Sequence, residues 1–359
     1  MIKVLVVDDS ALVRKLIGKV FAAEPDFEIS YARNGKEALE AIAAAIPDVV
    51  TLDIHMPEMD GLACLDRIMI EYPCPVIMFS STTAEGANAT LEALRLGAVD
   101  FVAKPTGAVS LRIDEMAPDL VEKVRQAATV KLKRSLRLRE RVRHRVGGGG
   151  KAAVSRTPVA TKSAAVGDGL VLVGISTGGP PALEVLLGSL PASFPWPILV
   201  AQHMPASFTG PLARRLDGLS ELSVVEVRTP TLLQPGFVYI GRGDADITVS
   251  RRGAGLVATA APAIIEYPWH PSADRLVRSA LNHMAPSQLI GILMTGMGND
   301  GAEAMTLLQS KGGRTIAEAE DTAVVWGMPG ELVKAGGADF VVSLPNIASQ
   351  LLKLVPRCP

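Results

Sequence analysis

The chain has 359 residues, 48% of them apolar, and a formal net charge of -1. That length holds two domains of ordinary size, each able to bury its own core. The near-neutral balance excludes a global field that would draw the chain to nucleic acid or anionic lipid, so any basic effect is local.

Three cysteines, Cys64, Cys74 and Cys358, form neither a CxxC pair nor an even framework. Free thiols in a reducing compartment are expected, with no disulfide or zinc role. The amino terminus, MIKVLVVDDS, meets acidic residues after one apolar run too short for a signal sequence, and no apolar stretch approaches a membrane span. A soluble cytoplasmic protein without direct membrane insertion is the expectation.

Along the chain, short runs rich in Val, Ile and Leu alternate with longer helical patterns. The runs are KVLVVDD, PDVVTLDI, CPVIMFSS and AVDFVAKP, then LVLVGIS, WPILVAQH, LIGILMTG and ADFVVSL. Runs apolar on both faces between helices predict two doubly wound parallel-sheet α/β domains. Between them, KLKRSLRLRERVRHRV (131–146) is almost wholly basic and aliphatic, and the Gly, Ala, Ser and Thr-rich stretch after it reads as a flexible tether. The expected domains are 1–125, a basic helix and linker over 126–168, and 169–359. The basic piece has no aromatic residue for stacking, so a solvated linker helix is preferred over a nucleic-acid contact.

In an open parallel sheet the reactive groups gather at the carboxyl ends of the strands. In the first half these are Asp8 and Asp9, Asp53, Ser80 and Ser81, and Lys104 before Pro105. Three clustered acids repel one another, which makes Mg²⁺ a natural occupant and leaves Asp53 a usable nucleophile toward a phosphoryl group. Taken singly, Asp9 reads as a helix cap and MPEMDG as a turn. His55, two residues after Asp53, reads as solvent-facing rather than as a phosphate relay.

As a set, VVDDS, LDIHMPEMDG, MFSS and FVAKP resemble the receiver domain of bacterial two-component response regulators over residues 1 to 105. The resemblance implies a flavodoxin-like fold, with Asp53 as phospho-acceptor and Asp8, Asp9 and Asp53 around Mg²⁺. It also implies Ser80 and Lys104 as the groups that respond to the phosphoryl oxygens, and Phe101 as an aromatic switch. A phosphoryl group adds a charge of about −2 at that point, enough to bias a two-state packing.

In the second half, GISTG places Ser176 on a tight strand-to-helix turn, a pattern that serves either a nucleophile or an anion cradle. A serine nucleophile needs a base and a group that orients the base. Of the five histidines, His55 lies in the other half, His144 in the linker, and His283 late in a helical pattern. His203 ends the run WPILVAQH, and His270 sits in the loop YPWHPSAD, so His203 is the better base by position. Asp300, in LMTGMGNDGAEAM, again follows a strand, although an ordinary helix cap is the competing reading. The order Ser, His, Asp separates this half from α/β-hydrolases, in which the acid precedes the histidine.

GISTGGPPAL, AQHMPASFTGPLARRLD, PSADRL, LMTGMGNDGAEAM and GMP resemble the effector domain of the protein-glutamate methylesterase family of chemotaxis response regulators. The resemblance implies a Rossmann-like hydrolase domain that cleaves glutamate γ-methyl esters on methyl-accepting chemotaxis receptors, often with glutamine deamidation. Ser176 would be nucleophile, His203 base and then acid, and Asp300 its orienter. The Met297 N–H would sit in the oxyanion hole, with Thr177 nearby. Ester hydrolysis then needs no cofactor, and the metal belongs to the receiver. The implied partners are the receptors and a chemotaxis histidine kinase as phosphodonor, with no nucleic acid.

The sequence departs from the family pattern at Gly241-Arg242-Gly243, at His270 where arginine is usual, and at Gly330 where a basic residue is common. These departures bear on which receptor is the substrate. One chain carrying a phosphoryl switch and a hydrolase edge on a tether suggests that the unphosphorylated receiver covers the Ser176 groove. The alternative is a phosphorylation-controlled binding module whose hydrolase-like domain is inactive.

Overall fold

The structure is a computed structural model, which describes residues 1–104, 109–130, 169–253 and 255–355. Most of the expected basic linker, with His144, and Cys358 lie outside the described residues. The chain divides into two compact units, and each sheet belongs to one of them.

The first sheet is all parallel and contains β1 (Ile2–Val7), β2 (Phe27–Ala32), β3 (Val49–Asp53), β4 (Val76–Ser80) and β5 (Asp100–Ala103), in the order β2-β1-β3-β4-β5. This is the flavodoxin-like order. Strands β3 and β4 are buried at every position, as their continuous apolar runs require. Helices α1 (Ala11–Ala22), α2 (Gly35–Ala44), α3 (Gly61–Glu71), α4 (Ala84–Leu96) and α5 (Val109–Thr129) alternate with the strands. The cap of α1 is Ser10, whose hydroxyl accepts the Val13 N–H, so Asp9 is not spent on capping. Asp60 caps α3, which gives the MPEMDG turn its structural purpose.

The second sheet has seven parallel strands in the order β15-β14-β13-β6-β7-β10-β8. Its members are β6 (Leu170–Ile175), β7 (Ile198–Gln202), β8 (Ser223–Val227), β10 (Phe237–Gly241), β13 (Leu289–Leu293), β14 (Arg314–Glu318) and β15 (Phe340–Val342). The order runs one way from β6 into β7 and the other way into β13, so the switch point lies at β6. The helices are α6 (Gly179–Gly188), α7 (Ala206–Leu219), α8 (Ala273–Leu281), α9 (Ala302–Ser310), α10 (Met328–Lys334) and α11 (Leu344–Leu354).

A third, antiparallel sheet of β9 (Thr231–Leu232), β11 (Ala245–Arg252) and β12 (Gly255–Pro262) was not among the sequence expectations. Its long strands mix buried positions with part-buried and exposed ones in place of a continuous apolar run. Ile247, Val249, Leu256 and Ala258 of this sheet share a core with Ala273, Leu276, Val277 and Ala280 of α8. That packing fixes the amino end of α8, where Asp300 docks.

Candidate functional site: an acid cluster and a Ser–His–Asp edge

In the first sheet, β1 pairs with β3 so that Val7 faces Leu52, which sets Asp8 beside Asp53 at the carboxyl edge. Asp8 and Asp53 are buried and Asp9 is exposed, and one carboxylate oxygen from each lies within 4.8 Å of the others. Lys104, just past β5, holds Nζ 3.0 Å from Asp8 Oδ2 and 2.7 Å from Asp53 Oδ2. Burial raises the Asp8 pKa; the Lys104 charge opposes that rise and the Asp53 charge adds to it. Burial works to lower Lys104, but Asp53 and Asp8 outweigh it and hold the ammonium above its usual range. Ser80 is fully buried, and its carbonyl accepts the Lys104 N–H at 2.6 Å. Phe101 is buried, with Lys123 Nζ 5.3 Å from its ring centroid. His55 is exposed.

In the second sheet, β6 and β7 are neighbours with Ile175 opposite Gln202, so Ser176 and His203 leave adjacent strands side by side. The His203 N–H donates to the Ile175 carbonyl at 3.0 Å, and the Ser176 N–H to the Thr295 carbonyl at 3.0 Å. The turn beyond Ser176 passes through Gly178 at φ +77°, where a Cβ would sit 2.7 Å from Val324 Cβ. Pro180 and Pro181 then occupy the first turn of α6.

Asp300 closes the site from the far side of β6. Its Oδ2 lies 2.8 Å from His203 Nε2 and accepts the Ala273 N–H at 2.6 Å. Its Oδ1 accepts the Ser272 hydroxyl at 2.9 Å and the Asp274 N–H at 3.0 Å. Asp300 therefore caps the amino end of α8, not its own following helix, whose N-cap is Gly301. Burial would raise its pKa, but the bonds from His203, Ala273 and Asp274 prevail and hold the carboxyl below the ordinary value.

Because Nε2 faces Asp300, the nitrogen left to take a proton from serine is Nδ1. It is buried and has no hydrogen-bond partner among the described residues. The His203–Asp300 couple is thus formed, while Ser176 is brought to the same edge without a bond to that nitrogen. Met297 follows Gly296, where a Cβ would lie 2.7 Å from Ser176 Cβ, so the Met297 main chain passes close to the serine. Thr177 is buried, and its carbonyl accepts the Thr295 hydroxyl at 2.9 Å.

The model of the CheB methylesterase family matches residues 171–351, and that of the response regulator receiver domain matches residues 4–113. A protein-glutamate methylesterase/protein-glutamine glutaminase of Rhodopseudomonas palustris is 55% identical over 358 residues, 98% of each chain. The chain belongs to the CheB methylesterase family. A second relative so named, from Rhodospirillum rubrum, is 49% identical over 98% of this chain and 95% of its own. The solved catalytic domain of Thermotoga maritima CheB methylesterase is 37% identical with a TM-score of 0.50, and covers 52% of this chain and 98% of that one.

Several residues of this CheB-family site were not predicted. Gln202 bridges the two strands, its Nε2 donating to the Ser176 carbonyl at 3.0 Å and to the His203 carbonyl at 3.1 Å. Trp269 lies parallel to the His203 ring at 6.0 Å between centroids. It also lines a cavity of about 440 Å³ with Tyr267, Asp274, Arg278, Asn299 and Asp300. His270 Nδ1 lies 3.0 Å from Oδ1 of buried Asp246, and His283 is exposed.

Proposed function

We propose that this chain hydrolyses γ-methyl esters of glutamate side chains on methyl-accepting chemotaxis receptors, and the amide of receptor glutamines at the same site, when Asp53 is phosphorylated. The observation that carries the reading is the His203–Asp300 bond at the strand ends beside Ser176. Ser176 Oγ attacks the ester carbonyl as His203 Nδ1 takes its proton, and Asp300 stabilises the resulting imidazolium. The oxyanion is met by main-chain N–H groups, that of Met297 among them, with Thr177 adjacent. Each such donor is worth about 3 to 4 kcal/mol where one has been removed. The C–O bond to the methoxy group breaks and methanol leaves with the histidine proton. Water then adds to the acyl-serine by the same route, regenerating Ser176 and releasing the glutamate carboxylate.

The receiver is proposed to span 1–125, with 126–168 as connector and 169–359 as catalytic domain. Asp53 would form a bond to phosphorus as the phosphodonor bond breaks, the donor being a chemotaxis histidine kinase. Lys104, already against Asp53, balances the added charge, and Ser80 and Phe101 respond to it. Three carboxylate oxygens in reach of one another are a hard donor set that fits Mg²⁺. Asp8, Asp9 and Asp53 would hold it, and when bound it neutralises charge on the phosphoryl oxygens. No helix among the described residues is long and apolar enough to cross a membrane; a cytoplasmic site of action is part of the proposal. The inactive-module alternative is disfavoured because all three side chains are present and two of them are bonded.

A serine-reactive phosphonate tests the nucleophile directly. Peptide mapping is expected to place the adduct on Ser176, blocked by prior denaturation; labelling elsewhere, with Ser176 unmodified in an active protein, overturns the assignment.

A further inference from the structure

β14 ends in Glu318, a fully buried carboxyl that the proposed chemistry does not use. Its Oε2 accepts the Thr295 N–H at 2.9 Å. Its Oε1 is buried and has no hydrogen-bond partner among the described residues. Thr295 is the residue on which the nucleophile turn is built. Its carbonyl takes the Ser176 N–H, its hydroxyl donates to the Thr177 carbonyl, and the same hydroxyl accepts the Val325 N–H. A fully buried carboxylate with only the Thr295 N–H and the Thr322 hydroxyl to favour its charge, and no cation beside it among the described residues, is a costly arrangement, whereas the neutral acid carries no net charge to desolvate. We propose that Glu318 is a positioning residue that works as a protonated, neutral acid, fixing Thr295 and through it the Ser176–Thr177 turn. The inference rests on the esterase reading and adds to it a second titrating group.

The surroundings agree. Burial pushes the Glu318 carboxyl up to about 7, against the weaker opposing effects of the Thr295 N–H and Thr322. The charged group acting on it is Asp321, in the loop beyond β14, and that carboxylate raises it further. Charges on the packed neighbours are engaged elsewhere. Glu303 of α9 pairs with Arg278, Glu331 of α10 with Lys334, and Asp339 before β15 with Arg314, while Lys353 of α11 is exposed. The neighbouring strand β13 carries no charged residue, and the Thr295 N–H follows two residues after its end. Ionisation would therefore add an unbalanced negative charge behind a turn that must meet a developing oxyanion, opposing the transition state.

The test uses the full chain, wild type and Glu318→Gln, with a glutamate γ-methyl ester peptide as probe. Glutamine keeps the carbonyl that accepts from Thr295 and cannot ionise. Wild-type kcat is expected to fall about tenfold per pH unit above the Glu318 midpoint, while Glu318→Gln keeps its neutral-pH kcat with no alkaline fall and an unchanged acid limb. Superimposable alkaline limbs in the two proteins overturn the proposal and leave the esterase reading intact. The infrared band of a protonated carboxyl at neutral pH, present in wild type and lost in Glu318→Gln, is expected whether or not the ester is cleaved. Its absence in wild type also overturns the proposal, and failure of both proteins to hydrolyse the ester with that band present overturns the esterase reading alone.

Discussion

Asp300 accepts four hydrogen bonds, three of them from the start of α8, so it serves the fold and the histidine at once. Its folded-state pKa is depressed. The sign follows: its stabilisation is complete above the ordinary carboxyl pKa of about 4 and is lost as pH falls through the folded value. Asp300→Asn is expected to cost ~2 kcal/mol at neutral pH, with the gap in urea midpoints closing below about pH 4. An equal gap at pH 7 and pH 3 would contradict the charged role. The same change is expected to lower kcat by roughly 10³ to 10⁴, because the amide cannot stabilise the imidazolium. Ser176→Ala, which removes one half-buried hydroxyl, is expected to leave the thermal midpoint unchanged.

At the level of elements, close approaches decide where side chains point. α3 begins at Gly61 pressed against the end of β3, and a Cβ there would lie 2.0 Å from the Asp53 carbonyl oxygen. Gly61→Ala is expected to destabilise the receiver by about 1 to 3 kcal/mol and to slow labelling of Asp53 by a small phosphodonor, both readable by calorimetry and phosphate incorporation. The parallel strands that carry the site were legible because burial on both faces leaves continuous Val, Ile and Leu runs, as in VVTLD and LVLVGI. β2, with Glu28, Tyr31 and Ser30 between its apolar ends, and the β11–β12 hairpin were not, since half-exposed strands carry Ala, Thr and charge. Ser176, His203 and Asp300 could be found because each follows such a run. Gln202, Trp269 and Glu318 could not, since their roles depend on which strands become neighbours, and a buried glutamate reads in sequence like any surface acid.

For the whole molecule, two parallel sheets put two clusters of reactive side chains at carboxyl edges of one chain, the Asp8, Asp9 and Asp53 acids and the His203–Asp300 couple beside Ser176. Coupling between them needs only about 1 to 3 kcal/mol, a change of 5- to 150-fold. A chain lacking residues 1–150 is expected to hydrolyse ester faster than the unphosphorylated whole protein; equal or slower turnover would contradict occlusion by the receiver. Asp53→Asn is expected to abolish the response to a phosphodonor and leave basal hydrolysis in place. The most direct measurement is methanol release from membranes bearing methylated chemoreceptors, comparing the whole protein with Ser176→Ala, each with and without a phosphodonor. The account predicts release by the whole protein that rises with the phosphodonor, and none above background from Ser176→Ala; release by Ser176→Ala at the rate of the whole protein would contradict it.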